Sequence, residues 1–238
     1  ATSLRMGDIG YQNSQEDEKG VKANYNSLCH YIYSLRAAMK TSCEDFEKIG
    51  LKKNGEYQQL NTNILQIANE YYSSVRPKPI LYGNDRPLRA LNNNGIGYIE
   101  IRSLDINPLL EVGIDKEQIE FLEAFLLFCL LEDSPAISSS ELVEIDSNAL
   151  LVAHQGRKPN LILKNIGEKE TLADWGEGIF EKIKQCSKLL SDAHQESVES
   201  ISIRIKNPDL TPSAIMLNEM QRQEKGFFEF TDQYSHKY

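Results

Sequence analysis

Glu100 and Arg102 stand two residues apart in the segment YIEIRSLDINP, inside a run of Tyr, Ile and Leu. Side chains alternate along an extended strand, so Tyr98, Glu100, Arg102 and Leu104 share one face while Ile99 and Ile101 take the other. The two charged groups are then about 7 Å apart at Cα, close enough to serve one ligand. A carboxylate on a rigid strand is a suitable hard ligand for Mg²⁺, and a neighbouring guanidinium can hold phosphate oxygens in bidentate fashion. Together they suit ATP. Spacing alone favours the blander reading, in which each charge is neutralised by an opposite charge across the sheet, because an unpaired buried ion is costly.

A second group lies at the start of the chain, in ATSLRMGDIGY. Arg5, with Asp8 and Tyr11 nearby, could recognise a carboxylate at the mouth of a pocket, since a guanidinium matches two carboxylate oxygens. A surface pair between Arg5 and Asp8 is the commoner arrangement. Tyr71 and Tyr72 precede RPKP and offer the same choice between packing and a hydroxyl aimed at a substrate, with packing favoured. The cysteines at 29, 43, 129 and 186 form no CxxC pair, which argues against a disulfide framework or a zinc site and fits a reducing cytosol. The four histidines show no metal-ligand spacing.

The elements that must position these groups are partly legible. Residues 12–24 are polar and read as an exposed loop. Apolar residues at 28, 31, 32, 35 and 39 recur at helical spacing, which predicts a helix over 25–40. Thr41 and Glu44 suggest a capping box for the next helix, stopped by Gly50, and Asn54-Gly55 favours a tight hairpin. Residues 60–72 are read as a strand, ended by Pro77 and Pro79. A short helical turn is expected within 82–94, and Gly95-Ile96-Gly97 leads into the strand of Glu100.

A long helix is expected from an Asp115 cap to Leu131, with Ile119, Leu122, Phe125, Leu126, Cys129 and Leu130 as its apolar face. Further helices are expected over 138–155 and 172–193, with shorter ones after residue 197. The order of elements predicts an α+β fold, strand-rich over 1–110 and mainly helical over 111–238.

Composition narrows the function classes. The chain has 238 residues, enough to bury a substantial core. Lys and Arg number 26 against 35 Asp and Glu, a formal net charge of −9, which argues against a general nucleic-acid or anionic-membrane surface. The longest apolar run, FLEAFLLFCLL, falls short of the roughly 20 residues that cross a bilayer. Neither an initiator Met nor a signal sequence stands at the start, so the sequence reads as a strand entered partway through a longer protein.

Six segments alter the odds when taken together: ATSLRMGDIGY, NEYYSSVRPK, GIGYIEIRSLDINP, SSSEL, QGRKP and NPDLT. In order and approximate spacing the chain resembles the proteobacterial type of glutamate-cysteine ligase over roughly residues 1–217, as the carboxyl-terminal half of such an enzyme. The resemblance implies a curved, largely antiparallel sheet flanked by helices, as in the catalytic part of glutamine synthetase. It also implies ATP-dependent joining of the γ-carboxylate of L-glutamate to the amine of L-cysteine through an acyl phosphate, with Mg²⁺, or Mn²⁺ as the alternative, in the cytoplasm. This is the first step of glutathione biosynthesis.

Residue by residue, Glu100 matches a metal-ligating glutamate and Arg102 the arginine facing the transferred phosphate. Arg5 matches a substrate-pocket arginine, and Tyr11 and Tyr72 match tyrosines lining the cysteine pocket. Arg157 and Lys158 lie in a matching segment without an assigned role. The family's remaining metal ligands lie upstream of the segment matching ATSLR, so the amino-terminal half of the same enzyme is the expected partner and the isolated chain is expected to be inactive. Two other readings compete: a non-catalytic binding module on the same scaffold, and a helical structural domain whose charged strand pair is only a salt bridge.

Overall fold

The computed structural model describes residues 2–8, 10 and 22–237. Tyr11 and most of the loop expected over 12–24 lie outside the described residues. The chain divides into two compact units, one formed by residues 9–104 with 135–137, the other by 1–8, 105–134 and 138–238. Described strands pair as three separate two-stranded antiparallel ribbons, in an α+β architecture.

In the first unit, helix α1 (Leu28–Ala38) buries Tyr31, Ile32, Leu35 and Ala38 on one stripe. Its start is capped by Ser27, whose hydroxyl accepts the His30 N–H. That stripe packs with Leu65, Ala68, Tyr71, Leu88 and Leu91 to form the core of the unit. Helix α2 (Glu44–Ile49) ends at Gly50, where φ is 77°, so the expected stop holds. The Thr41–Glu44 capping box does not form: the cap residue is Cys43, and the Thr41 hydroxyl instead donates back to the Ala37 carbonyl at the end of α1.

Strands β1 (Lys52–Lys53) and β2 (Glu56–Tyr57) form the hairpin expected of Asn54-Gly55, with φ of 54° and 86° at the two turn residues. Residues 60–72 do not form the expected strand. Their backbone meets that of 38–43 only through scattered bonds, Cys43 N–H to the Thr62 carbonyl and Ile64 N–H to the Thr41 carbonyl, while Asn63 Nδ2 donates to the Met39 carbonyl and Asn61 Nδ2 to the Gln66 carbonyl; the only regular element is a short 3-10 turn at Ala68–Glu70. Asn and Gln side chains here offer the backbone partners that a ladder would otherwise supply.

Pro77 lies within strand β3 (Val75–Lys78) rather than ending a strand. Strand β3 pairs with β4 (Tyr98–Ile101), Arg76 opposite Glu100 and Pro77 opposite Ile99. Arg102 donates its N–H to the Ser74 carbonyl, which sets the hydrogen-bonded positions at 74, 76 and 78 and leaves Pro77 where no ladder donor is needed. Helix α3 (Pro87–Asn94), longer than the expected turn, starts with proline at its first position and ends at Gly95, where φ is 78°. The chain then returns through Gly97, where a Cβ would lie 2.6 Å from Ile80 Cγ1, so only glycine allows this close approach.

The second unit is mainly helical. Helix α4 (Lys116–Leu131) begins at Asp115, whose carboxylate accepts the Gln118 N–H at 2.7 Å. Its packed face is narrower than expected: Ala124 is fully buried and Phe121, Phe125 and Phe128 pack around Ile183 and Val198, whereas Ile119, Leu130 and Leu131 are exposed. Cys129 is exposed as well. Helix α5 (Ser139–Gln155) begins with a capping box formed by Ser138 and Glu141.

Strands β5 (Ile162–Asn165) and β6 (Glu168–Thr171) form a hairpin about Ile166 and Gly167 that the sequence reading did not anticipate. The helix expected over 172–193 is two helices, α6 (Leu172–Ser187) and α7 (Asp192–Lys206). Helix α8 (Pro212–Arg222) and helix α9 (Phe227–Ser235) follow, the latter burying Phe230 completely.

Candidate functional site

Strand alternation and the β3–β4 register place Arg76, Lys78, Tyr98, Glu100 and Arg102 on one face of the ribbon. Glu100 sits between two cations: Lys78 Nζ lies 2.8 Å from Oε2, and Arg102 Nε bonds Oε1. The Lys78 hydrogen bond, then that of Arg102, pull its pKa from the ordinary 4.5 down to about 2, against the opposing effect of desolvation. The carboxylate is therefore ionised throughout the physiological range. Tyr72 joins the same cluster, its hydroxyl donating to the Arg102 carbonyl at 3.3 Å and its ring centroid 5.6 Å from the guanidinium carbon.

Arg76 differs from its neighbours on the ribbon. Only 5% exposed, it donates through Nη2 to the Ala68 carbonyl at 3.3 Å, and its Nε has no hydrogen-bond partner among the described residues. Burial pushes the Tyr31 phenol pKa up, while the charges and hydrogen bond of Arg76 pull the other way. Tyr71 is a packing residue: it is buried, and its hydroxyl accepts the Ala23 N–H at 2.9 Å.

Thus Glu100, Arg102 and Tyr72 come together in one unit, joined by Lys78. Sequence reasoning passed over Lys78 because RPKP was read for its prolines. The alternation in Val-Arg-Pro-Lys carried the signal, placing Arg76 and Lys78 on a common face once an antiparallel partner is supplied. Two cations flanking one carboxylate, Lys78 and Arg102, can hold an anion such as a phosphate group.

Metal ligation is a separate matter. Mg²⁺ takes about six oxygens in near-octahedral geometry. Both Glu100 oxygens are already bound by cations, and no group of three or more His, Cys, Asp or Glu able to hold a metal occurs among the described residues. These residues do not by themselves build a Mg²⁺ centre.

Arg5 belongs to the other unit, in a segment that is a bend rather than the expected strand. Asp8 in this segment lies 3.0 Å from His154 Nε2. Arg157, left without a role in the sequence, donates to the Ser213 hydroxyl at 3.1 Å and so ties the turn after α5 to the first turn of α8.

The α+β scaffold thus presents a cation-bearing ribbon face. The family model for glutamate-cysteine ligase matches residues 1–152. A glutamate-cysteine ligase of Pseudomonas putida is 44% identical over 236 residues, covering 97% of this chain and 45% of the relative; that of Pseudomonas entomophila is 43% identical, with 97% and 44% covered. A crystal structure of the Francisella tularensis glutamate-cysteine ligase in complex with AMP superposes with a TM-score of 0.88 at 33% identity, covering 100% of this chain and 48% of that one. A bifunctional glutathione synthetase from Pasteurella multocida shares the fold, with a TM-score of 0.62 at 19% identity over 99% of this chain and 26% of its own.

The chain belongs to the glutamate-cysteine ligase family. It spans about half the length of the relatives it matches. Among the described residues no helix is long and apolar enough to cross a membrane.

Proposed function

We propose that this chain forms the carboxyl-terminal portion of an ATP-dependent ligase that joins the γ-carboxylate of L-glutamate to the amine of L-cysteine in the cytoplasm, the first step of glutathione biosynthesis. The observation that carries this reading is the Lys78–Glu100–Arg102 cluster on one ribbon face, with Tyr72 against it. AMP bound to the Francisella tularensis relative supports a nucleotide substrate.

In this reading a γ-carboxylate oxygen of glutamate attacks the terminal phosphorus of ATP and ADP leaves. The cysteine amine then attacks the acyl carbon, inorganic phosphate departs, and the amine loses a proton. Arg102 holds oxygens of the transferred phosphoryl group, where a fixed guanidinium offsets charge without reorganising. Lys78 supports it as a second cation, and Glu100 keeps both in place. Arg5, Tyr11 and Tyr72 bind the amino-acid substrates, the tyrosines lining the cysteine pocket. Mg²⁺ would supply charge neutralisation when bound; Glu100 would offer it one oxygen only by releasing a cation that now holds it, and further ligands would have to come from other parts of the enzyme.

A chimera tests the proposal: the 236 matching residues of the Pseudomonas putida ligase are replaced by this chain. The chimera is expected to release phosphate from ATP only when glutamate and cysteine are both present. A folded chimera that binds ATP and both amino acids yet releases none would overturn it.

A further inference from the structure

Residues 2–6 dispose of their backbone donors in an unusual way. Thr2 and Ser3 both donate to the Ala153 carbonyl, at 2.7 and 3.0 Å, an acceptor in the last turn of α5 that has no intrahelical partner to satisfy it. Leu4 and Arg5 both donate to Oδ1 of Asp105, at 3.2 and 2.9 Å. The Ser3 hydroxyl donates to Oδ2 of the same carboxylate, and Ser3 Oγ accepts the Met6 N–H at 3.1 Å. Five consecutive N–H groups are thus accounted for without a strand partner. Two successive N–H groups converging on one anion are a backbone nest, and here the anion is supplied by the protein itself.

From this we infer that Asp105 is a positioning residue: its carboxylate sets the bend that carries Arg5, and through the Arg5 backbone it fixes where the guanidinium meets a substrate carboxylate. The inference rests on the proposed ligase reading for Arg5. Asp105 stands three residues after Arg102 in the chain, so one short segment carries both the phosphate-facing arginine and the anchor of the substrate-facing one. Asp105 is exposed and its bonds compete with water, so what it contributes is geometry more than fold stability.

The test uses Asp105→Ala and Asp105→Asn in the chimera described above, with amide hydrogen exchange measured on the 238-residue chain. Asparagine keeps Oδ1 as an acceptor for Leu4 and Arg5, whereas alanine removes both oxygens. Asp105→Ala is expected to raise the KM of one amino-acid substrate about tenfold, leaving kcat and the KM for ATP within about twofold, since misplacing a binding group by a fraction of an ångström costs on this scale. Asp105→Asn should restore most of that loss. Exchange at the Leu4 and Arg5 amides should accelerate at least tenfold in Asp105→Ala and little in Asp105→Asn.

Unchanged exchange in Asp105→Ala would overturn the anchor, and accelerated exchange with unchanged KM values would overturn its role in placing Arg5. Should the parent chimera itself fail to ligate while remaining folded, the ligase reading falls and with it the role assigned to Asp105 toward substrate. Exchange then still decides whether the carboxylate holds the bend.

Discussion

Replacing Glu100 with Gln keeps the side chain's shape and removes the negative charge between Lys78 and Arg102. The lowering of the Glu100 pKa from 4.5 to about 2 sets the scale of that charge's contribution. Each pKa unit is worth about 1.4 kcal/mol, so the pairing favours the ionised form by roughly 3 kcal/mol. The side chain is 31% exposed, and screening by water reduces the share available to stability to about 1–2 kcal/mol.

The folded pKa lies below the unfolded one, so this stabilisation is fully present above about pH 4.5 and is lost as pH falls toward 2. Urea denaturation of the 238-residue chain and of Glu100→Gln should therefore differ by about 1–2 kcal/mol at pH 7, and the difference should shrink by about half or more at pH 3. A difference that stays constant between the two pH values would refute the reasoning, since it would show that Gln acts through packing and not through charge.

Other perturbations probe the supports of the site. Gly97→Ala should cost about 1–3 kcal/mol by forcing Ile80 away from the strand entry, and thermal melting would show it as a lowered Tm without loss of the helical circular dichroism signal. Asp115→Ala removes the cap of α4 and should cost about 1 kcal/mol, with Asp115→Asn nearly neutral in the same denaturation assay.

Local signals in the sequence were legible where one residue type has one physical use. Asn54-Gly55 supplied the left-handed turn, Gly50 the helix stop, and Asp115 the cap of α4. Signals failed where the deciding partner is remote. Residues 60–72 have strand-like apolar spacing, but the backbone of 62–65 bonds to that of 38–43 and Asn63 reaches the Met39 carbonyl, partners distant in sequence that periodicity does not record. Helices α6 and α7 share a continuous apolar pattern, and the break between them rests on the turn at 188–191.

The site divides in the same way. Strand alternation was enough to put Glu100 and Arg102 on one face, yet Lys78 entered only with the β3–β4 register, a long-range pairing that no short window contains. Asp105 stood in the most specific motif of the chain and still gave no sign of its use. Its partners, the N–H groups of Leu4 and Arg5, lie about a hundred residues away and are backbone atoms, invisible to residue type.

The proposed ligase gives Arg102 the phosphoryl group in transfer. Arg102→Lys in the Pseudomonas putida chimera tests it most directly, because lysine keeps a cation beside Glu100 and loses the planar fork. A fall in kcat of about a hundredfold or more is expected, with the KM values for glutamate and cysteine little changed. A folded Arg102→Lys chimera with wild-type kcat would contradict it.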